Sequence, residues 1–327
     1  MSRADGRVVI GVDLGGGSIR TAAITVSGQI VSSVRMPTDT HHGVNAVLDR
    51  IAHSIQQVVR DADLPHDTVV GIGAPGPLDP YLGIVLIAPN LPGWINIPLR
   101  DALHQRSGHP VVIANDANAA VLGERWFGAG IGCDNLIYIG IGTGLGSGVV
   151  ANGHLIDGYR GLGVELGHMT IDLNGPVCSC GGRGCLEAFC SNWALERDAG
   201  ALISSGRGRG LVVAAGSSRI DARAISVAAL AGDAEAIEIL QSAGRALGAG
   251  LANCVNIFSP ERIAIGGGVA GAAELLLDPA RESLQQRAMP AMLAHCEVVL
   301  SALGDHTGVL GAAGVALQHL DAGLMHP

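Results

Sequence analysis

Short apolar runs alternate along this chain with glycine-rich turns and with longer segments in which apolar residues recur every three or four positions. The first run, Val8 to Asp13, predicts a buried strand, and two more strands follow it around a turn at residues 27–29. From Val44 to Asp61 the apolar spacing becomes that of one helix face, which predicts a helix. Strands that alternate with helices in this way indicate an α/β fold.

The same plan of strand, glycine loop and strand occurs twice. The second copy is a strand over 135–141, the loop Gly142-Thr143-Gly144 and a strand over 145–151. We interpret the copies as two lobes that each present backbone N–H groups to the phosphates of one nucleotide, although glycine turns occur in any α/β protein. Two segments break the pattern: 78–98, rich in proline and glycine, and 199–220, rich in glycine, serine and arginine, both predict loops.

Composition narrows the function. The 327 residues are enough for two domains with separate cores. The net charge is −9 and every one of the 20 basic residues is arginine, which argues against nucleic acid as a partner and excludes a mechanism that needs lysine. The N-terminus is short and polar and no apolar run approaches about twenty residues, so we predict a soluble, cytoplasmic protein without a membrane partner.

A cluster of metal-ligand residues is the strongest chemical signal. Three of the seven cysteines, Cys178, Cys180 and Cys185, follow closely on His168, with glycines between them that let the loop wrap tightly. Four such ligands suit tetrahedral zinc, and they leave no open position for water, so the metal would be structural. The alternative is a loop with three free thiols.

Two aspartates stand at the ends of predicted strands. Asp116 follows Asn115 where a strand meets a helix, so its carboxylate is either a helix cap or a base that accepts a proton from a sugar hydroxyl. Asp13 precedes the loop Gly15-Gly16-Gly17-Ser18, where it is either a turn residue or a water-mediated Mg²⁺ ligand beside phosphate-binding N–H groups. That loop matches neither the P-loop nor the dinucleotide fingerprint. Gly266-Gly267-Gly268 after a late strand could admit adenosine at close backbone range.

Taken together these segments resemble the ROK family of sugar kinases and repressors, and within it the bacterial glucokinases. The resemblance covers essentially the whole chain. It rests on Asp13 to Ser18, Gly71 to Pro77, Ala88 to Trp94, Asn115 to Ala120, Gly140 to Gly146, Glu165 to His168, Cys178 to Glu187 and Ile265 to Val269.

The resemblance implies an α/β fold of two actin-like, ribonuclease H-like lobes with the nucleotide and the sugar in a cleft between them. We expect a small N-terminal lobe over 1–114, completed by a C-terminal helix at about 305–327, and a large lobe over 115–304 that carries the zinc loop. Family members form oligomers, so a homodimer or homotetramer is expected.

The resemblance also implies roles for individual residues. Asp116 would be the general base, and zinc would be held by His168, Cys178, Cys180 and Cys185. The sugar would be bound by Gly76, Asn115, Asp116, Glu165, His168 and Glu187. ATP and its Mg²⁺ would be bound by Asp13, Gly15, Gly16, Gly17, Ser18, Gly142, Thr143, Gly144, Gly267 and Gly268.

The expected reaction is ATP-dependent phosphorylation of glucose at its 6-hydroxyl. The family's first loop commonly has threonine where Gly17 stands and lysine or asparagine where Ser18 stands, so polyphosphate is an alternative donor. N-acetylmannosamine and N-acetylglucosamine are alternative acceptors. A sugar-responsive regulator of the same family is the non-enzyme alternative, which the early position of Asp13 and the negative charge disfavour.

Overall fold

The fold is that of a computed structural model, which describes residues 7–216, 220–267 and 273–324. The described strands form two five-stranded sheets and one three-stranded sheet. They are β1 (Val8–Leu14), β2 (Ser18–Thr25), β3 (Ile30–Pro37), β4 (Val70–Ala74), β5 (Leu78–Asp79), β6 (Ile84–Ile87), β7 (Ile95–Ile97), β8 (Val111–Asn115), β9 (Leu136–Ile141), β10 (Leu145–Ala151), β11 (His154–Ile156), β12 (Arg262–Gly267) and β13 (Glu297–Leu300).

Most of the helical residues lie in a few long helices. The described α-helices are α1 (Val44–Asp61), α2 (Leu99–Ser107), α3 (Asp116–Phe127), α4 (Glu187–Cys190), α5 (Asn192–Ser204), α6 (Arg209–Ala215), α7 (Ala222–Leu230), α8 (Ala234–Phe258), α9 (Ala273–Arg287), α10 (Pro290–Leu293) and α11 (Thr307–Leu324). Short 3₁₀ turns occur at Thr40–His42, Tyr159–Gly161, Leu166–His168 and Gly304–His306.

The first large sheet has the strand order β3-β2-β1-β4-β8, with the β1–β2–β3 meander antiparallel and β4 and β8 added in parallel. Helix α1 covers one face with its apolar stripe, which includes Val47, Ile51 and Ile55. Helix α11 packs against β1 and β4. It approaches so closely that a Cβ at Gly11 or Gly71 would overlap its backbone, so both positions need glycine.

The second large sheet repeats this arrangement with the order β11-β10-β9-β12-β13, in which β10 and β11 are antiparallel and β12 and β13 are parallel. The longest helix, α8, packs along α9. The internal repeat predicted from the glycine loops is therefore present as two sheets of the same strand order.

The chain divides into two compact units. Unit 1 consists of Met1–Tyr138, Gly148–Val164 and Ser301–Pro327, and unit 2 consists of Ile139–Ser147 and Glu165–Leu300. These units differ from the predicted lobes, since residues 115–138, including α3, belong to unit 1. Helix α3 packs mainly against α11, which explains this assignment. The lobe boundary at 114 and 115 stays a prediction.

Two predicted loops contain regular structure. Residues 78–98 carry the three-stranded sheet β5-β6-β7, because the prolines stand outside its short strands. Residues 199–220 include the end of α5 and all of α6, and 217–219 lie outside the described residues. Both loop predictions were wrong, because a high content of Gly and Pro does not reveal strands and helices as short as these. Among the described helices, none is long and apolar enough to cross a membrane.

Candidate active site

The start of α3 brings together three residues predicted to meet the sugar. Asn115 is the N-cap, and its Oδ1 accepts a hydrogen bond from the Ala117 N–H at 2.9 Å. Its Nδ2 donates to the carbonyl of Gly76 at 3.1 Å. Asp116 follows as the first helical residue, and its Oδ1 also accepts from Ala117 N–H, at 2.8 Å. Since Asn115 caps the helix, the carboxylate of Asp116 is not needed as the cap.

Gly76 lies where β4 ends, and its backbone requires glycine. Its φ is +84°, and a Cβ would overlap the carbonyl of Ile87. The Ile87 carbonyl thus leaves no room for a side chain at this turn, and the side chain of Asn115 holds the turn through its hydrogen bond to the Gly76 carbonyl. In unit 1 the structure therefore groups Gly76, Asn115 and Asp116 as predicted.

The first glycine loop is a tight hairpin between β1 and β2, closed by a hydrogen bond from the Gly15 N–H to the Ser18 carbonyl at 3.0 Å. Buried Thr38, which the sequence pattern did not single out, fastens this loop. Its Oγ1 donates to the Gly15 carbonyl at 2.6 Å, and its N–H donates to the Gly17 carbonyl at 3.2 Å. A Cβ added at Gly17 would meet no atom within 4 Å, whereas a Cβ at Gly16 would crowd Asn90.

Asp13 lies beneath the first turn of α11. A Cβ at Gly308 would overlap the Asp13 carboxylate, so the missing side chain at 308 makes room for it. Burial raises the pKa of Asp13 above its ordinary value, while the charge of Arg20 lowers it in part. A positively charged ligand would favour the ionised carboxylate. Gly308 is a second residue that the sequence pattern did not single out.

The four predicted zinc ligands converge in unit 2. The ligand atoms of His168, Cys178, Cys180 and Cys185 all lie within 4.8 Å of one another. Cys180 Sγ is 3.7 Å from Cys185 Sγ, and Cys178 Sγ is 3.6 Å from His168 Nδ1. Zinc–sulfur bonds of about 2.3 Å place tetrahedral ligands about 3.8 Å apart, so the donor set fits zinc.

Two of the thiols differ in the direction of their pKa shifts. Burial and the neighbouring thiols raise the pKa of Cys185 to about 12. The hydrogen bond from the Gly182 N–H lowers the pKa of Cys180. Metal binding would require thiolates and would therefore release protons.

Glu187 connects the cysteine loop to the second glycine loop. Its Oε1 accepts from Ser179 Oγ at 2.7 Å and from Trp193 Nε1 at 3.4 Å. Its Oε2 accepts from the Leu145 N–H at 2.9 Å, directly after Gly142-Thr143-Gly144. A Cβ at Gly144 would stand 2.5 Å from that oxygen, so the loop needs glycine there. Ser179 and Trp193 carry no motif that the sequence alone would reveal.

The same contacts set the charge of Glu187. Burial raises its pKa, but the hydrogen bonds from Ser179 and Leu145 and the charge of His168 outweigh burial, and the pKa lies below its usual value. Glu187 is therefore a carboxylate at neutral pH, and it can accept further hydrogen bonds from a polyol.

Glu165 and His168 belong to one 3₁₀ turn, closed by a hydrogen bond from the His168 N–H to the Glu165 carbonyl at 3.0 Å. The Glu165 side chain is exposed. Val164, just before it, has φ +66°, a left-handed conformation that strains a β-branched residue. Since His168 turns Nδ1 toward Cys178, Nε2 is the nitrogen left for another ligand.

The late glycine run is described only in part. Gly267 ends β12 with φ +96°, and a Cβ there would overlap the Ile141 carbonyl at the end of β9. Gly268 lies outside the described residues. The proposed adenosine contacts at Gly267 and Gly268 stay predictions.

A model of the ROK family matches residues 9–319 of the chain. The chain belongs to the ROK family. A glucokinase from Thermotoga maritima is 41% identical over 95% of this chain and 98% of its own length. The resemblance inferred from the motifs is confirmed.

Solved structures of ROK proteins share the fold. A ROK hexokinase from Thermus thermophilus superposes with a TM-score of 0.82 at 36% identity, covering 96% of this chain and 99% of the hexokinase. A ROK glucokinase from Streptomyces griseus, solved with glucose and AMPPNP, gives a TM-score of 0.77 at 37% identity, covering 95% of this chain and 99% of its own. The prediction of an α/β fold with actin-like lobes is confirmed.

ROK relatives also include proteins with other descriptions. A xylose repressor from Caldicellulosiruptor bescii is 33% identical over 95% of this chain and 78% of the repressor. An inorganic polyphosphate/ATP-glucomannokinase from an Arthrobacter strain has a TM-score of 0.61 at 26% identity, covering 96% of this chain and all of that one.

Proposed function

We propose that this ROK protein phosphorylates glucose at its 6-hydroxyl with ATP as the donor. The chain is a hexokinase-type phosphotransferase. The observation that carries the proposal is the near full-length match to glucokinases, which includes a relative solved with glucose and AMPPNP. The grouping of Gly76, Asn115 and Asp116 at the neighbouring ends of β4 and β8 supports the same reaction.

In this proposal Asp116 accepts the proton of the sugar hydroxyl as that oxygen attacks the γ-phosphorus. Asn115 serves as the N-cap, so capping does not require the Asp116 carboxylate, whose Oδ1 also accepts a hydrogen bond from the Ala117 N–H. A positioned general base usually contributes about 10²–10⁴-fold to the rate.

The sugar would be held by hydrogen bonds. The residues to which we assign this role are Gly76, Asn115, Asp116, Glu165, His168 and Glu187. Zinc at His168, Cys178, Cys180 and Cys185 would act structurally, since four protein ligands close its coordination sphere. His168 would keep Nε2 for the sugar, and its orientation would then depend on the metal.

The phosphates would be held by backbone N–H groups rather than by lysine, which this chain lacks. The hairpin at Gly15 to Ser18 and the loop at Gly142 to Gly144 are the two candidates, with Asp13 near the Mg²⁺ that accompanies ATP. Positioning and electrostatic stabilisation of the spreading charge would supply most of the catalysis, as in other phosphoryl transfers.

A regulator without kinase activity is the second candidate, because xylose repressors match nearly the whole of this chain. The two candidates share a sugar site and differ in turnover. A regulator would bind a sugar and leave it unphosphorylated in the presence of Mg²⁺ and ATP.

The decisive experiment measures sugar phosphate formed from glucose, mannose, N-acetylmannosamine and N-acetylglucosamine. Each sugar is offered with Mg²⁺ and either ATP or polyphosphate, and the product is quantified by mass spectrometry so that both donors are read in the same way. We expect the highest kcat/KM for glucose with ATP.

Each other outcome contradicts a different part of the proposal. A higher kcat/KM for an N-acetylhexosamine would overturn glucose as the acceptor. A higher kcat/KM with polyphosphate would overturn ATP as the donor. Sugar binding by calorimetry without any phosphorylated product would favour the regulator.

A further inference from the structure

A groove of about 520 Å³ runs along the outer edge of β8, and it lies wholly within unit 1. Strand β8 is the last strand of its sheet, so one of its edges has no neighbouring strand. The other walls come from α3, from the end of α11 and from the segment around β11. Leu122, Leu155 and Val315 are among the apolar side chains that line it.

The floor of the groove presents backbone polar groups. The Val70 N–H donates to the Pro110 carbonyl, and backbone groups of successive residues along β8 point to opposite sides of the strand. The backbone N–H and C=O groups of Val112 therefore point toward β4, and those of Val111 and Ile113 point to the outer edge. Val111 and Ile113 are nevertheless 6% and 4% exposed. Within the described ranges, no strand or side chain pairs with their outer edge. Both residues line the groove, so a ligand there can hydrogen-bond to their backbone groups.

The side chain of Asn118 presents a further hydrogen-bond donor and acceptor to the groove. It lies on α3 and lines the groove, and the residue is only 7% exposed. In the part of the chain that the structure describes, its carboxamide makes no hydrogen bond, whereas Asn115 on the preceding turn makes two. The residue is thus mostly covered, while its carboxamide remains accessible from the groove, where a ligand can hydrogen-bond to it. Asn118 offers one donor and one acceptor side by side to whatever occupies the groove.

The charges at the rim are already paired. Arg100 donates from Nε to Asp101 at 2.8 Å and from Nη1 to the Tyr81 carbonyl at 2.9 Å. Asp157 accepts the Tyr81 hydroxyl hydrogen bond at 2.9 Å. Arg100 and Asp157 are therefore both engaged by neighbours, and the other titratable residues that line the groove include His154 and His319.

We propose that this groove is a second ligand site, which takes an uncharged and largely apolar small molecule with a carboxamide or lactam edge. The donor and acceptor of that edge pair with the carboxamide of Asn118 beside the outer edge of β8, and the apolar body packs on Leu122, Leu155 and Val315. The volume lies in the range of about 300–1,000 Å³ that small-molecule sites occupy.

The site is distinct from the proposed sugar contacts, although it lies close to them. Asp116 and Gly76 do not line the groove, but Asn115 does. A ligand in the groove would therefore contact α3 at Asn118, one helical turn after Asn115. Competition with glucose must be tested, because a probe that simply entered the sugar site would also approach Asn115.

The test uses the full-length, metal-loaded protein and two matched probes, 2-pyridone and 1-methyl-2-pyridone, which differ in the lactam N–H. Binding is measured by saturation-transfer NMR titration, with and without saturating glucose. We expect 2-pyridone to bind about three- to tenfold more tightly than its methylated analogue, as one additional hydrogen bond allows. Glucose is expected to leave the binding of 2-pyridone unchanged.

Three variants locate the probe. Ala322→Trp on the exposed end of α11 fills the groove from its rim, and Asn118→Leu removes the carboxamide. Ala201→Trp places the same ring at an exposed position of α5, outside the groove, and is the matched control. We expect the affinity for 2-pyridone to fall at least about tenfold in Ala322→Trp, to fall about three- to tenfold in Asn118→Leu, and to be retained in Ala201→Trp.

Absence of 2-pyridone binding at millimolar concentration overturns the proposal. So does displacement by glucose, which would place the probe in the sugar site. Equal affinity for the two probes, or binding that Ala322→Trp leaves intact, would likewise show that the groove is not a site for this chemistry. Thermal unfolding of each variant, with Tm near that of the parent, separates loss of the site from loss of the fold.

Discussion

Asp116 and Asn115 divide two tasks that either side chain could perform at the start of α3. The structure assigns the N-cap to Asn115, and this leaves the Asp116 carboxylate one residue further along, at the first helical position. A cap contributes about 1 kcal/mol to stability. The substitution Asp116→Asn is therefore expected to spare the helix and to affect chemistry.

For Asp116→Asn we expect kcat to fall by about 10²–10⁴-fold, with the glucose Kd and the Tm close to those of the parent protein. Steady-state kinetics, calorimetric titration of glucose and thermal unfolding measure the three quantities. Asn115→Ala is the comparison, since it removes the cap and should lower the unfolding free energy by about 1 kcal/mol. Near-normal turnover in Asp116→Asn would refute the assignment of the base.

Gly308 controls the space that Asp13 occupies beneath α11. In Gly308→Ala the new Cβ would overlap the Asp13 carboxylate. We expect this substitution to displace the carboxylate and to raise the KM for Mg²⁺-ATP or lower kcat by at least about tenfold, the equivalent of about 1.4 kcal/mol. Gly200→Ala on α5 is the control, because nothing lies within 4 Å of its Cβ position. Equal kinetics in the two variants would contradict a role for Asp13 at the nucleotide.

The element that carries the cysteines has little regular structure of its own. It contains one 3₁₀ turn at Leu166–His168 and two isolated β-bridges, Thr170 with Cys185 and Val177 with Arg183. Its buried cluster is small, consisting of Cys178, Cys185 and Ala188 with Trp193 packed against it. A metal that joins four side chains would supply the order that such a loop cannot obtain from its core.

We expect one zinc per chain, measured by elemental mass spectrometry on the purified protein. Cys180→Ser should lose the metal and raise the glucose KM by at least about tenfold, because His168 and Glu187 depend on the loop for their positions. The KM for ATP should change much less. Cys296→Ser, a half-buried thiol outside the cluster, is the control. A zinc-free, folded protein with the parent's glucose KM would contradict the proposal that zinc positions His168 and Glu187 for the sugar.

At the scale of the whole molecule, the chain passes between unit 1 and unit 2 four times, after Tyr138, Ser147, Val164 and Leu300. Two of these crossings fall inside strands, since β9 and β10 each contribute residues to both units. A strand that is shared in this way cannot lose its order in one unit without affecting the other. We therefore expect the two units to unfold as one cooperative system.

Scanning calorimetry tests this expectation. The parent should show one transition, with a calorimetric enthalpy close to the van't Hoff enthalpy. Ile51→Ala in unit 1 and Leu251→Ala in unit 2 both truncate fully buried side chains and should each cost about 2–5 kcal/mol. Each should move the whole transition to lower temperature. Two resolved transitions, of which each variant shifts only one, would show that the units unfold independently.

Strand and helix types over most of the chain followed from the sequence alone. Apolar periodicity is a local property, and helix α1 was predicted with the bounds Val44–Asp61 that the structure has. The three-stranded sheet in 78–98 and helix α6 in 199–220 were missed, because their short elements are stabilised by packing rather than by a pattern. The convergence of His168, Cys178, Cys180 and Cys185 was predictable, because this spacing of cysteine and histidine is typical of metal sites.

The tertiary structure alone decided which neighbours support those residues. Thr38 hydrogen-bonds to the first glycine loop, and Gly308 leaves space for the carboxylate of Asp13. Ser179 and Trp193 donate hydrogen bonds to Glu187. None of these contacts corresponds to a sequence motif. The sequence by itself thus determined the fold class and the ROK motifs and predicted which cysteines and histidine come together, because local periodicity and residue chemistry encode them. Contacts between distant segments, including the groove along β8, depend on how the elements pack, and spacing along the chain does not record that.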